Sequence, residues 1–192
     1  MKIVFRISKF IYSITNWITL ALAFVIFIIF LIFVLPNESL RSSEATGVAE
    51  SPDTSFIYSA EDLYDLAERF GEDGRAYYIK ARFTFDIVWP ISYLLFLVIS
   101  LSALLKSLSI ASKMKLLNVI PLISFVLDLL ENITSSIVMA RYPLLSPGIA
   151  ELAPIFTFLK WIFVGISFLL LMIAIVVASI NQIDKHKKVN GR

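Results

Sequence analysis

Hydrophobic residues in this chain come in long runs rather than in alternation. Four runs are long enough to cross a bilayer: residues 11–35, 83–105, 116–140 and 152–180, the first stopped by Pro36. Each exceeds the roughly 20 residues that span a hydrocarbon core about 30 Å thick. The pattern predicts an all-α membrane protein, a four-transmembrane-helix bundle forming a single membrane domain over residues 1–192. The opening "MKIVFRISK" has the form of a signal-peptide n-region. The apolar run behind it is 25 residues long, beyond the roughly 7–15 of a cleaved signal core, so it reads as a retained helix.

Segment 36–82 lies between the first two runs. Residues 37–58, rich in Ser, Glu, Gly and Pro, read as a mobile linker. Ser59 with Asp62 three residues on forms an acid-bearing capping box. Leu63, Leu66, Ala67 and Phe70 then follow at helical spacing up to Gly71. These signals predict a short amphipathic helix over about 60–70. Its apolar face serves either to pack on the span ends or to cover a ligand site. From about Gly74 no breaker precedes the second span, so one long helix is expected to Leu105. Pro90 should kink it and free a backbone carbonyl near Asp86.

Polar residues inside the spans also fall on stripes. Ser124, Asp128, Glu131, Asn132 and Ser135 share one face of span three. Arg82, Asp86, Trp89, Tyr93 and Ser100 share one side of span two, and Thr157, Lys160 and Ser167 one face of span four. At about 1.5 Å per residue, Glu131 lies about 14 Å from the outer end of its span and Lys160 about 12 Å, nearly one level. An isolated charge at a helix centre costs about 2.5–3.5 kcal/mol or more. Lys160 is therefore expected to pair with Glu131 or Asp128, and Asp86 with Arg82 or Arg141. Two readings remain open: a packing device, or a polar pocket formed by Asp86, Tyr93, Asp128, Glu131, Asn132, Lys160 and Arg82.

Composition agrees with the membrane reading. Of 192 residues 58% are hydrophobic and 17% charged, with mean hydropathy +0.84. Lys2, Arg6 and Lys9 precede span one, Lys106, Lys113 and Lys115 separate spans two and three, and Lys185, Lys187, Lys188 and Arg192 follow span four. Segment 36–82 carries ten acids and five bases. By the positive-inside rule both termini are expected in the cytoplasm and segment 36–82 outside, in a plasma-membrane protein.

The absence of cysteine excludes disulfides, thiol nucleophiles and Cys-ligated metals. The single histidine, His186, sits in a basic tail, which excludes a zinc enzyme built on several histidines. No GxGD, GxSxG or GxxxG motif and no internal repeat occurs. A hard cation held by carboxylates and Asn is disfavoured, because Lys160 supplies the counter-charge. Whether the protein is an enzyme stays open. No cofactor and no nucleic-acid partner is expected. The expected partners are membrane lipids, a lipid-like ligand at the outer leaflet, and a membrane-protein partner or second copy. The leading expectation is a protein that binds or acts on an amphipathic molecule. The alternatives are a non-catalytic accessory subunit whose buried charges fix packing, and a small proton-linked carrier.

"GRAYYIKARFTFDIVWPISY" (residues 74–93) followed by "DLLEN" (residues 128–132) resembles small, uncharacterised four-span bacterial membrane proteins. In these a GR–Y–D–P–Y series precedes an acidic D-x-x-E-N span. The resemblance covers residues 59–142. It implies a four-helix fold and the polar set Arg75, Tyr78, Asp86, Pro90, Tyr93, Asp128, Glu131 and Asn132, with no named activity. An acid-lined four-helix cavity also resembles the sterol-isomerase and sigma-2-receptor group in architecture, without that group's histidine and acid spacing.

Overall fold

The computed structural model describes residues 2–52 and 55–190, with the side chains of 184–190, His186 among them, outside the described set. The described residues are helical and contain no strand. Four helices are long and apolar enough to cross a membrane: Trp17–Thr46, Gly71–Ser107, Met114–Arg141 and Ile149–Ile183.

The chain opens with α1 (Lys2–Ile14) as a separate helix. Span one therefore starts six residues later than the hydrophobic run suggests. The break is chemical. Asn16 is extended (φ −143°, ψ 178°), and its side chain accepts from the N–H groups of Ile18 and Thr19 while the Thr19 hydroxyl accepts from the Asn16 N–H. This reciprocal cap satisfies donors that a helix start leaves open. It begins α2 (Trp17–Ile29) as a new helix.

Pro36 does not end span one, contrary to expectation. α2 runs through a π-helical segment, Phe30–Val34, into α3 (Leu35–Thr46). Proline lacks the donor that an α-helix needs. The wider turn absorbs the defect: the Leu35 N–H bonds to Phe30 O, and Asn37 Nδ2 donates to Phe33 O at 2.7 Å. The helix stops at Gly47, whose φ of +69° suits glycine. The first ten residues of the expected linker 37–58 are thus helix, as far as Thr46.

α4 (Ala60–Arg69) forms with the expected cap, burying Leu63, Leu66 and Ala67 and exposing Glu61, Asp62, Glu68 and Arg69. Gly71 (φ +63°) turns the chain into α5 (Gly71–Arg82). α6 (Phe85–Ser107) follows after a short interruption at Phe83 and Thr84. Gly74 permits close approach, since a Cβ there would lie 3.1 Å from the Thr46 backbone of α3. A 3₁₀ segment (Met114–Val119) leads into α7 (Pro121–Arg141), with proline in its first turn, where the missing N–H costs nothing. α8 (Ile149–Asn190) completes the bundle.

Two apolar cores hold it. One joins Ile11, Ala23 and Phe27 to the α6 residues Leu94, Leu97, Val98 and Leu101 and to Leu171 of α8. The other joins α4 to Tyr78, Val138, Met139, Ala150 and Ala153. Large apolar residues elsewhere on the spans, such as Leu22, Val25, Val126, Leu169 and Ile173, are exposed, as expected where lipid is the solvent.

Candidate functional site

The polar stripes of α6, α7 and α8 turn inward. Asp86, Tyr93, Asp128, Glu131, Asn132, Lys160 and Arg82 are all buried, and Glu131 is 0% exposed. The opposite face of α7, with Ile123, Val126, Leu130 and Ile133, is exposed.

Lys160 is the centre of the layer. Its Nζ lies 2.5 Å from Glu131 Oε2 and 3.2 Å from Asp128 Oδ1. Those carboxylates stand about one helical turn apart on α7, so one ammonium spans both. The Tyr93 hydroxyl donates to Asp128 Oδ2 at 3.3 Å and links α6 to the pair. Arg82 Nε is 3.0 Å from Asp86 Oδ2, and its guanidinium stacks 4.4 Å from the Tyr78 ring centroid. Both pairings follow the expected partners, while the other candidate, Arg141, is exposed. The layer contains three acids and two bases, all buried.

Asn132 has a distinct task. Pro90 cannot donate to the carbonyl of Asp86 one turn earlier. Asn132 Nδ2 donates to that carbonyl at 3.0 Å, so α7 repairs the defect in α6. A buried carbonyl without a partner would cost about 1–3 kcal/mol.

A cavity of about 400 Å³ opens beside this layer. Arg82, Asp86, Tyr93, Asp128 and Lys160 line it; Asp128 is the sole contribution from α7. Glu131 and Asn132 do not line it: the first is paired with Lys160 and the second is engaged with Asp86. The apolar wall comes from Phe27, Leu31, Leu35, Phe85, Trp89, Trp161, Val164 and Phe168. Within this wall the Phe27 and Phe168 ring centroids are 6.4 Å apart. Its mouth is lined by Glu38, Ser39, Ser42, Ser43, Ala49 and Ser51.

The mouth residues lie beyond Pro36, which reads in the sequence as a stop. The signal is nevertheless present: Phe27, Leu31, Leu35, Glu38 and Ser42 continue one helical stripe across the proline. The lid is also placed differently. α4 packs on Val138, Met139, Ala150 and Ala153 rather than over the cavity, and α3 occupies that position. Segment α4–α5 still touches the layer through Tyr78, and Tyr58, just before α4, has its hydroxyl 3.0 Å from Thr157 Oγ1.

The arrangement offers an amphiphile both surfaces it needs, an apolar wall and a fixed set of opposite charges. Comparisons with protein-family models, with curated proteins and with solved structures returned no match to this chain.

Proposed function

We propose that the chain is a multi-pass plasma-membrane protein with both termini cytoplasmic, and that it binds a lipid-like or amphipathic molecule in the cavity beside Lys160. The observation that carries this reading is the cavity. Its volume, about 400 Å³, falls within the roughly 300–1,000 Å³ of small-molecule sites. Its chemistry is divided, with aromatic and aliphatic walls on one side and Arg82, Asp86, Asp128 and Lys160 on the other. Ionisable groups inside spans mark ligand or ion pathways by default. The charge distribution supports an outward mouth. Bases gather at the α1 end, whereas segment 36–82, which supplies the mouth, carries twice as many acids as bases.

A packing role is favoured for part of the layer. Glu131 is fully buried, does not line the cavity and ties α7 to α8 through Lys160. Glu131 and Asn132 thus hold the frame, and Asp86, Asp128, Tyr93, Arg82 and Lys160 present the polar surface to the ligand.

Because the chain has no cysteine, single-cysteine variants give a direct test. With an impermeant thiol reagent applied outside intact cells, Ser42→Cys and Asp86→Cys should label and Glu131→Cys should not. A long-chain amphiphile should slow labelling of Asp86→Cys. Labelling of Ser42→Cys only from the cytoplasmic side would overturn the orientation, and no effect of any amphiphile would overturn the binding role.

A further inference from the structure

The N-terminal helix α1 has three faces, and the cavity uses none of them. Ser8, Ile11, Tyr12 and Thr15 form the face docked on the bundle. Ser8 Oγ donates to Asn118 Oδ1 at 2.8 Å, the Tyr12 hydroxyl donates to Lys115 O at 2.8 Å, and Ile11 joins the core. Asn118 in turn donates to Ser102 Oγ at 2.9 Å, so the helix is fixed across the ends of α6 and the 3₁₀ segment. It is not a loose tail. Ile3, Ile7, Phe10 and Ile14 form a second face at i, i+4, i+7, i+11, and they are 71%, 38%, 63% and 36% exposed. Lys2, Arg6, Lys9 and Ser13 form a third face at the same spacing, and its three basic residues are all exposed.

Charge complementarity identifies what covers the apolar face. Lys106, Lys113 and Lys115 lie at the same end of the bundle, giving six bases with those of α1. No acid occurs in residues 1–37 or 87–127, so neither α1 nor the 106–115 loop carries a counter-charge of its own. A docked helix with an exposed apolar face flanked by bases has the form of a helix lying in the membrane interface, with acyl chains under the apolar face and phosphates beside the basic one. Trp17, 78% exposed at the start of α2, stands at the adjoining position where indole rings anchor to the interface.

From these faces we infer that α1 is an in-plane membrane anchor that binds anionic phospholipid headgroups through Lys2, Arg6 and Lys9. It works with the 106–115 loop, at the end of the bundle opposite the cavity. Ser8, Tyr12 and Asn118 fix its depth and rotation. The inference is independent of any ligand in the cavity.

The test uses full-length protein reconstituted in phosphatidylcholine vesicles with and without phosphatidylglycerol. An environment-sensitive fluorophore on Phe10→Cys should be quenched by lipid-borne quenchers, and one on Lys9→Cys by aqueous iodide. Phosphatidylglycerol should be retained preferentially over phosphatidylcholine through purification and native mass spectrometry. Lys2→Gln, Arg6→Gln and Lys9→Gln together should abolish most of that preference, at about fivefold per residue, while thermal stability in neutral detergent stays unchanged. Aqueous quenching at Phe10→Cys would overturn the anchor. Protection there from both quenchers would assign the face to a protein contact instead. Equal retention of the two lipids by the native protein, or an unchanged preference in the triple variant, would overturn the headgroup assignment.

Discussion

Two buried polar clusters hold this bundle together, one near each end, and they are built differently. Near α1, Ser8, Asn118 and Ser102 form a neutral chain in which each hydrogen bond is donated once and accepted once. None of the three lines the cavity beside Lys160. In the other cluster, Arg82, Asp86, Asp128, Glu131 and Lys160 are charged, with acids in excess, and most of them line a cavity. Neutral hydrogen bonds suffice to fix which helices pack together. Charges are an expensive way to reach the same end, since a buried ion pair is often no more stabilising than apolar residues of similar volume. The difference separates glue from a surface held ready for something else.

The sharpest way to break this comparison is at Lys160. Lys160→Met leaves two carboxylates buried beside each other and should cost about 3–5 kcal/mol, read as lost stability in detergent unfolding. Adding Asp128→Asn and Glu131→Gln should recover most of the stability but none of the amphiphile binding. Full recovery of both would make the charged cluster mere packing, like the neutral one. Next in size is Asn118→Ala, which orphans Ser8 and Ser102. It should cost about 1–3 kcal/mol in the same assay and leave amphiphile protection of Asp86→Cys intact.

A subtler test concerns Asn132, which belongs to the charged cluster by position and to the packing frame by task. Asn132→Leu should destabilise by about 1–2 kcal/mol by stranding the Asp86 carbonyl. In a Pro90→Ala background α6 can bond that carbonyl itself, so a double-mutant cycle should show the two positions coupled. Additive effects would refute the repair. The smallest effect comes from outside both clusters. The Ser59 N–H and hydroxyl both donate to Asp62 Oδ2 at 2.8 Å and hold its carboxyl below the usual carboxylate range. Because the folded value is depressed, this contribution is complete above the ordinary value of 3.8 and fades as pH falls below it toward the folded value. Hydrogen exchange in α4 should rise over that acid window in the native protein, and less so in Ser59→Ala.

Much of this arrangement could be read from sequence. Hydropathy located all four long helices, and the stripes of Asp128, Glu131 and Lys160 turned inward because an unpaired charge in lipid is costly. Helical rise alone put Lys160 level with Glu131. Two things stayed hidden, for physical reasons. Pro36 is a strong local stop, but the π segment and the Asn37 side chain answer it, and that compensation depends on backbone geometry rather than composition. The position of α4 was equally illegible: Leu63, Leu66 and Phe70 declare an apolar face but not which of two apolar surfaces will receive it. The break at Asn16 had a readable signal in the Asn–x–x–Thr cap, masked by the unbroken hydrophobic run around it.

The π segment Phe30–Val34 also sets the phase of everything beyond it. In a regular α-helix, positions four apart drift steadily around the axis. The wider turn counters that drift and keeps Phe27, Leu31 and Leu35 on one wall. It acts as a single-residue insertion accommodated in place. Rewinding the same five residues as ordinary α-helix, with none deleted, would swing α3 by about 100°. Glu38 and Ser42 would then leave the mouth, and the cavity would lose its rim while every span kept its length.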